Sequence, residues 1–229
     1  MKSIVVYEDD YLMVVHKSAG MATQTKRIGE LDLVSDIRNY LQGGYVGLLN
    51  RLDQQVEGLV FFGKTSQVTH ELSVQMQRGE IGKRYQALVV GEVRLRATLV
   101  HNLCKEKQGN LSRVVEKGVR NSKRACLHYE PIRHYIENST QEKITLVAIQ
   151  LETGRHHQIR VQLAHEKMPI IGDYKYGDDL SKGIGREVNI EGLALCAVAL
   201  SFVHPIYKKK IELEVTPNWM KLTEKLQQI

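Results

Sequence analysis

Arg51 and Asp53 stand two positions apart in GLLNRLDQQVEGLVFFGK, residues 47 to 64, among leucines, valines and phenylalanines. A charge set among apolar side chains is costly unless it is paired. The pair therefore reads as a salt bridge at a strand end, or as a carboxylate kept there to react. On an extended backbone residues i and i+2 point to the same side. A second charged set lies in LETGRHHQIR, with Arg155 on a turn and Arg160 on the helix that follows it. Arg155 offers a planar donor fork suited to phosphate. If Arg160 faces Asp53, it keeps that carboxylate ionised and aimed, with a lowered pKa. Separated charged elements that converge favour a site over coincidence. Tyr85, in GKRYQALV, has two readings. It is a core tyrosine of a strand, or an aromatic platform beneath a base with Lys83 and Arg84 beside it for phosphate.

Other chemistries lack their residues. His156, His157 and His165 match no zinc spacing, and there is no HExxH, so no metal is expected. There is no GxSxG elbow, P-loop or GxGxxG, which leaves no support for a serine hydrolase or a nucleotide-dependent enzyme. No cofactor is expected. Cys104, Cys126 and Cys196 form no CxxC pair and read as reduced thiols of a cytoplasmic protein. The net charge is +6, with basic residues gathered in 105 to 125 and in 207 to 210. Such a surface attracts polyanions, phosphate backbones being the commonest in the cytosol, or serves solubility alone. The N-terminal MKSIVVYEDD is too acidic for a secretory signal, and no run reaches the roughly 20 apolar residues of a membrane span.

The elements that must position these residues follow from periodicity. Residues 4 to 7 and 11 to 16 read as strands split by an acidic turn at Glu8 to Asp10. Leu31, Val34, Ile37 and Leu41 recur at helical spacing before Gly43 and Gly44. YVGLLN and GLVFFGK are strand-like, which puts Arg51 and Asp53 on a loop between them. Thr65 or Ser66 caps a helix carrying Val68, Leu72 and Met76 and ending at Gly79. GKRYQALVVGEV reads as a strand, and 101 to 125 as a mobile hairpin or long loop. KITLVAIQL is a strand, ETGR a turn, and HHQIRVQLAHE a helix with Ile159 and Leu163 inward. PIIGDYKYGDD is irregular, 182 to 186 a basic loop, and LALCAVALSFVHP and KKKIELEVTP a last antiparallel pair. A short Lys-rich helix ends the chain. With no repeat and no Pro/Gly/Ser linker, residues 1 to 229 read as one α+β domain. Its expected core is a large, mainly antiparallel mixed sheet with flanking helices and loops.

The chain resembles the RluA-type family of RNA pseudouridine synthases. The resemblance runs through YEDDYLMVVHKSAGMATQ, NRLDQQVEGLVFFGKT, KRYQALVVG, LETGRHHQIRVQLAHEKMPIIGDYKYG and LALCAVALSFVHP. It implies an isomerase that flips a uridine out of tRNA or rRNA, detaches the uracil, rotates it and rejoins it through carbon. It implies Asp53 as the catalytic carboxylate, acting on the sugar or as a base, with Arg160 as its partner and Tyr85 packed on the base. Arg51 would help displace the target base, and Lys17 would have a supporting role near the RNA. Phosphate contacts would come from Lys83, Arg84, Arg155, His157, Lys123 and Arg124. The pattern departs at Asn50, where the family usually has His, at Val56-Glu57 in place of Thr-Ser, at Ser18 in place of Pro, and at Lys167-Met168-Pro169. Glu57 near a phosphate path would be repulsive. No N-terminal S4-type appendage is expected, and a monomer is the default. The rival reading is a catalytically inactive RNA-binding or chaperone-like protein of the same fold, kept open by Asn50, Val56 and Glu57.

Overall fold

The structure is a computed structural model that describes residues 3–25, 29–190 and 192–229. Its first elements in chain order are β1 (Ile4–Glu8), β2 (Leu12–Lys17), α1 (Leu33–Tyr40), β3 (Gly47–Leu48), β4 (Glu57–Gly63) and α2 (Ser66–Gln77). There follow β5 (Gly82–Val90), β6 (Ala97–Lys105), β7 (Ser112–Val115), β8 (Lys123–Ile136), β9 (Lys143–Leu151), α3 (Gln158–His165) and α4 (Asp179–Glu187). The last are β10 (Leu195–Val203), β11 (Lys210–Glu214), a 3-10 helix at Asn218–Lys225 and β12 (Gln227–Gln228). The chain forms two compact units, Met1–Lys83 with Cys196–Pro217, and Arg84–Leu195 with Asn218–Ile229.

In the first unit the strands run β1-β2-β4-β10, with β3 also on β4 and β11 on β10. All of these pairs are antiparallel except β4 with β10, which is parallel and sets Glu57 beside Cys196 and Gly58 beside Ala197. The parallel pair closes tightly at Gly58. Its φ is +123°, and a Cβ there would come within 2.4 Å of the Ala197 backbone nitrogen, so only glycine fits. Leu12, Val14, Leu59 and Phe61 of the sheet pack with Val68 and Leu72 of α2 and with Leu200 and Phe202 of β10. Both helices start at side-chain caps: Asp32 accepts from the Ser35 amide and Thr65 from the Val68 amide. Because Asp32 takes the cap, Leu31 falls outside α1 and is exposed, and Leu41 is the C-cap. The helical repeat is therefore shorter than its four apolar residues suggest.

In the second unit the order is β5-β9-β8-β6-β7, all antiparallel, with β12 on β8. Of the two readings of 101 to 125, a mobile hairpin or a long loop, the structure has the hairpin, formed by β6 and β7. β6, β7 and the start of β8 form a meander through that segment. Its buried apolar side chains are few, Leu99, Leu103, Ala125 and Leu127 among them, and exposed residues such as Thr98, Val100, Arg113, Lys123 and Arg124 make up much of the rest. A half-solvated sheet needs apolar residues on one face alone, so its sequence passes for loop. The expected basic loop at 182 to 186 belongs to α4, where Ser181, Ile184 and Gly185 are buried. The Lys-rich C-terminal helix is a 3-10 helix followed by a short strand. The α+β class and the mainly antiparallel mixed sheet are as expected.

Candidate active site

In the first unit the loop from β3 to β4 carries Arg51, which is exposed, and Asp53, which is half-buried. Its flanks are pinned residue by residue. Leu52 is tied at both its backbone groups to the Thr23 hydroxyl, which donates to the Leu52 carbonyl at 2.8 Å and accepts from its amide at 3.2 Å. The Gln54 carbonyl accepts from the Gly20 amide at 2.8 Å and from Lys17 Nζ at 3.2 Å. Its side-chain amide donates back to the Gly20 carbonyl. The Val56 amide closes a turn on the Asp53 carbonyl at 3.0 Å. Asn50 clips the loop to β4, its Nδ2 donating to the Leu59 carbonyl at 3.1 Å and its Oδ1 accepting from the Phe61 amide at 3.0 Å. An amide is a donor and an acceptor at once, which suits a strand's alternating groups. Asn50 therefore has a local structural role.

Lys17 lies beneath the surface. Its side chain is wholly buried, and Nζ donates to the carbonyls of Ser18 at 3.0 Å, Met21 at 2.8 Å and Gln54 at 3.2 Å. Burial pushes its pKa down to about 8, against the charges of Asp53 and Glu57, which pull it up. Glu57 is likewise 2% exposed, 3.6 Å from His16 Nε2, and so lies on no phosphate path. Lys83, at the start of β5, is half-buried, and desolvation lowers its pKa.

In the second unit the turn before α3 is knotted by Gln158. Its Oε1 accepts from the Arg155 amide at 3.0 Å and the Thr153 hydroxyl at 2.8 Å, and its Nε2 donates to the Cys126 carbonyl at 3.1 Å. The helix is capped without a side chain, His157 instead adopting the left-handed region at φ 54°. Arg160, one turn in, is 4% exposed and grips Asp173 in a fork, Nε to Oδ2 at 2.8 Å and Nη2 to Oδ1 at 2.7 Å. Asp173 is 1% exposed and also accepts from the amides of Lys175 and Tyr176. Burial alone would raise its pKa, but the hydrogen bonds and charge of Arg160, with the two amides, outweigh it and hold it below the ordinary carboxylate range. The Arg160 guanidinium lies 5.2 Å from the Tyr176 ring centroid. The Tyr176 hydroxyl meets His157 Nδ1 at 2.7 Å and accepts from the Ser112 amide at 2.8 Å. His157 is buried and engaged with Tyr176.

Tyr85 is buried on β5 opposite Ile149, and strand alternation turns Arg84 to the exposed face. Lys123 and Arg124, at the start of β8, and Arg155 are exposed together, since Arg155 Nε donates to the Arg124 carbonyl at 3.0 Å. Asp173, Tyr176 and Gln158 were not singled out in the sequence. The signal for the first two was an Asp and a Tyr three apart in a loop otherwise rich in glycine, GDYKYG. Among the described residues, two sets bring three ligand-type atoms within 4.8 Å of one another: His101, His165 and Glu166, and Cys126, His128 and Glu152. One histidine of each set is already held, His101 between Gln162 and Glu166 and His128 between Thr98 and Glu152.

Residues 11–165 match the family model described as RNA pseudouridylate synthase, a span that includes Lys17, Asp53, Tyr85 and Arg160. The chain belongs to the RNA pseudouridylate synthase family. Among similar members, tRNA pseudouridine synthase C of Vibrio cholerae serotype O1 is 31% identical over 209 residues, 88% of this chain and 85% of that protein. Ribosomal large subunit pseudouridine synthase C of Buchnera aphidicola subsp. Baizongia pistaciae is 30% identical over 91% of this chain, which spans 65% of that protein's length. In fold, the chain matches the structure of human RNA pseudouridylate synthase domain containing 1 with a TM-score of 0.79 at 19% identity, covering 100% of this chain and 89% of that one. Members of this family are isomerases that act on RNA. No helix among the described residues is long and apolar enough to cross a membrane.

Proposed function

We propose that this protein converts uridine to pseudouridine in tRNA or rRNA, with Asp53 as the catalytic carboxylate. The observation that carries the reading is the Asp53 loop, a half-buried carboxylate whose two neighbours in sequence are both pinned, inside the span that matches the family. A pinned backbone aims a side chain without further reorganisation, which is what electrostatic catalysis requires. The reaction breaks the N1–C1′ bond, forms a C5–C1′ bond, releases the C5 hydrogen as a proton and returns a proton to N1, so the composition is unchanged. A uridine within folded RNA must first leave its stack, which costs a few kcal/mol and is offset by stacking and phosphate contacts.

In this reading Tyr85 packs on the extruded base, Arg51 helps displace it, and Arg160 supports the carboxylate. Lys83, Arg84, Arg155, Lys123 and Arg124 attract the phosphates, favoured by the net charge of +6. The family span crosses both units, which supports one catalytic domain over the whole chain. The names of the bacterial relatives support RNA as substrate and the cytoplasm as the place of action, and the reading takes the working form to be a monomer. The test is tritium release from RNA labelled at uracil C5, with tRNA and rRNA assayed separately. Release by the wild type and none by Asp53→Ala is the expected result. Tight RNA binding with no release from either RNA overturns it in favour of an inactive RNA-binding protein.

A further inference from the structure

Lys17 ends β2 opposite Gly58, and its ammonium meets three backbone carbonyls, those of Ser18, Met21 and Gln54. An ammonium has three N–H donors, so every one is used. A neutral amine has two, and its lone pair would face a carbonyl oxygen. The third of these carbonyls belongs to the residue after Asp53, and the bond at 3.2 Å spans 37 positions of sequence. The charge state of Lys17 is thus tied to the backbone of the loop that carries the carboxylate.

An ammonium sealed from water needs an anion near it. The groups that face Lys17 are Asp53 of the loop, Glu57 at the head of β4 and Cys196 of β10. The Cys196 thiol is pushed far up by burial and by the Glu57 charge, so it faces Lys17 neutral. His16, next to Lys17, has its Nε2 3.6 Å from Glu57 Oε2. Glu57 is buried and sits beside Cys196 across the parallel β4–β10 pair. We infer that Lys17 is a positioning residue for Asp53, acting through the Gln54 carbonyl, and that Glu57 is the buried counter-charge that, beside Asp53 itself, keeps Lys17 protonated during turnover. This deepens the proposed function and rests on it for its catalytic aspect.

The inference sets the alkaline behaviour of the enzyme. Burial brings the Lys17 pKa from 10.5 down to about 8, with Asp53 and Glu57 holding it from falling further. Above that pH the folded chain loses the Lys17 proton while the unfolded chain keeps it. In that window the group contributes stability that rises with pH. Loss of rate through Lys17 is therefore not loss of fold, and the two measurements move in opposite senses.

The experiment pairs two readouts on the whole protein, wild type against Glu57→Gln. One is NMR titration of Lys17 through ε-carbon-labelled lysine, assigned with Lys17→Met, which needs no activity. The other is the pH dependence of kcat and KM for tritium release. Expected are a wild-type Lys17 midpoint near 8 that coincides with the alkaline limb of kcat. In Glu57→Gln both move about one unit toward acid, with kcat at pH 8 down about fivefold and KM unchanged. Lys17 titrating in the ordinary lysine range in both proteins overturns the inference. So does a rate limb that stays put while the Lys17 midpoint moves. A displaced Lys17 midpoint in a wild type that releases no tritium from any RNA overturns the catalytic aspect together with the enzymatic reading, and locates the failure there. If Glu57→Gln does not fold, Glu57→Asp, which keeps the charge at a greater distance, is expected to shift both midpoints in the same sense by less.

Discussion

Arg160 and Asp173 form a two-bond fork with both side chains buried, at 2.8 and 2.7 Å. Removing Asp173 takes away both bonds of the fork and the carboxylate charge that faces the buried guanidinium. Asp173→Ala is therefore expected to cost about 3–5 kcal/mol of stability, measured by urea denaturation. A cost under about 1 kcal/mol, the range of exposed pairs, would contradict it.

The same pair predicts a pH dependence. The Asp173 carboxyl is held below its ordinary pKa in the folded chain, against the pull of burial and chiefly by Arg160. Its contribution is thus complete above the unfolded value of about 4 and is lost as pH falls through the lower, folded value. The stability gap between wild type and Asp173→Asn should narrow on acidification below about pH 4. Denaturation curves at a series of pH values read this directly, and a constant gap would refute it.

Gly58 stands where β4 and β10 touch, at φ +123° with 2.4 Å of room for a Cβ. Gly58→Ala must push the parallel strands apart or strain the backbone. The expected loss is on the order of 3 kcal/mol or more, visible as a thermal midpoint lower by several degrees. A variant as stable as wild type would show that the strands do not approach this closely.

Lys123 and Arg124 are exposed and stand beside Arg155. If they meet phosphate, the double alanine variant binds RNA more weakly, with the slope of log affinity against log salt shallower by about 1 to 2. Fluorescence anisotropy across a salt series is the measurement. Equal slopes would remove this face from the RNA path.

Most strands were legible because their apolar residues run almost without a break. KITLVAIQL and LMVVHK announce buried strands, and the Arg51–Asp53 loop follows from the apolar runs on either side. The meander over 97 to 136 was not legible as a whole, since its buried residues are few and scattered, Leu99, Leu103, Ala125, Cys126, Leu127 and Tyr135 among them, with polar and exposed residues between. At the site, residue type suggested a group's chemistry but not its depth. Lys17 read as a supporting residue near the RNA and His157 as a phosphate contact, and neither reading carried its burial. Their burial depends on carbonyls and a tyrosine far away in sequence, Gln54 for the one and Tyr176 for the other. Asp173 was missed for the same reason, its partner Arg160 being 13 positions away across an irregular loop.

Asn50 joins the Asp53 loop to β4 through an amide, which has no proton to gain or lose between acid and base. Where the resemblance leads one to expect histidine, the join would weaken or reverse as the ring charged near neutrality. Here it holds alike in weak acid and in alkali, so one anchor of this loop is blind to the medium.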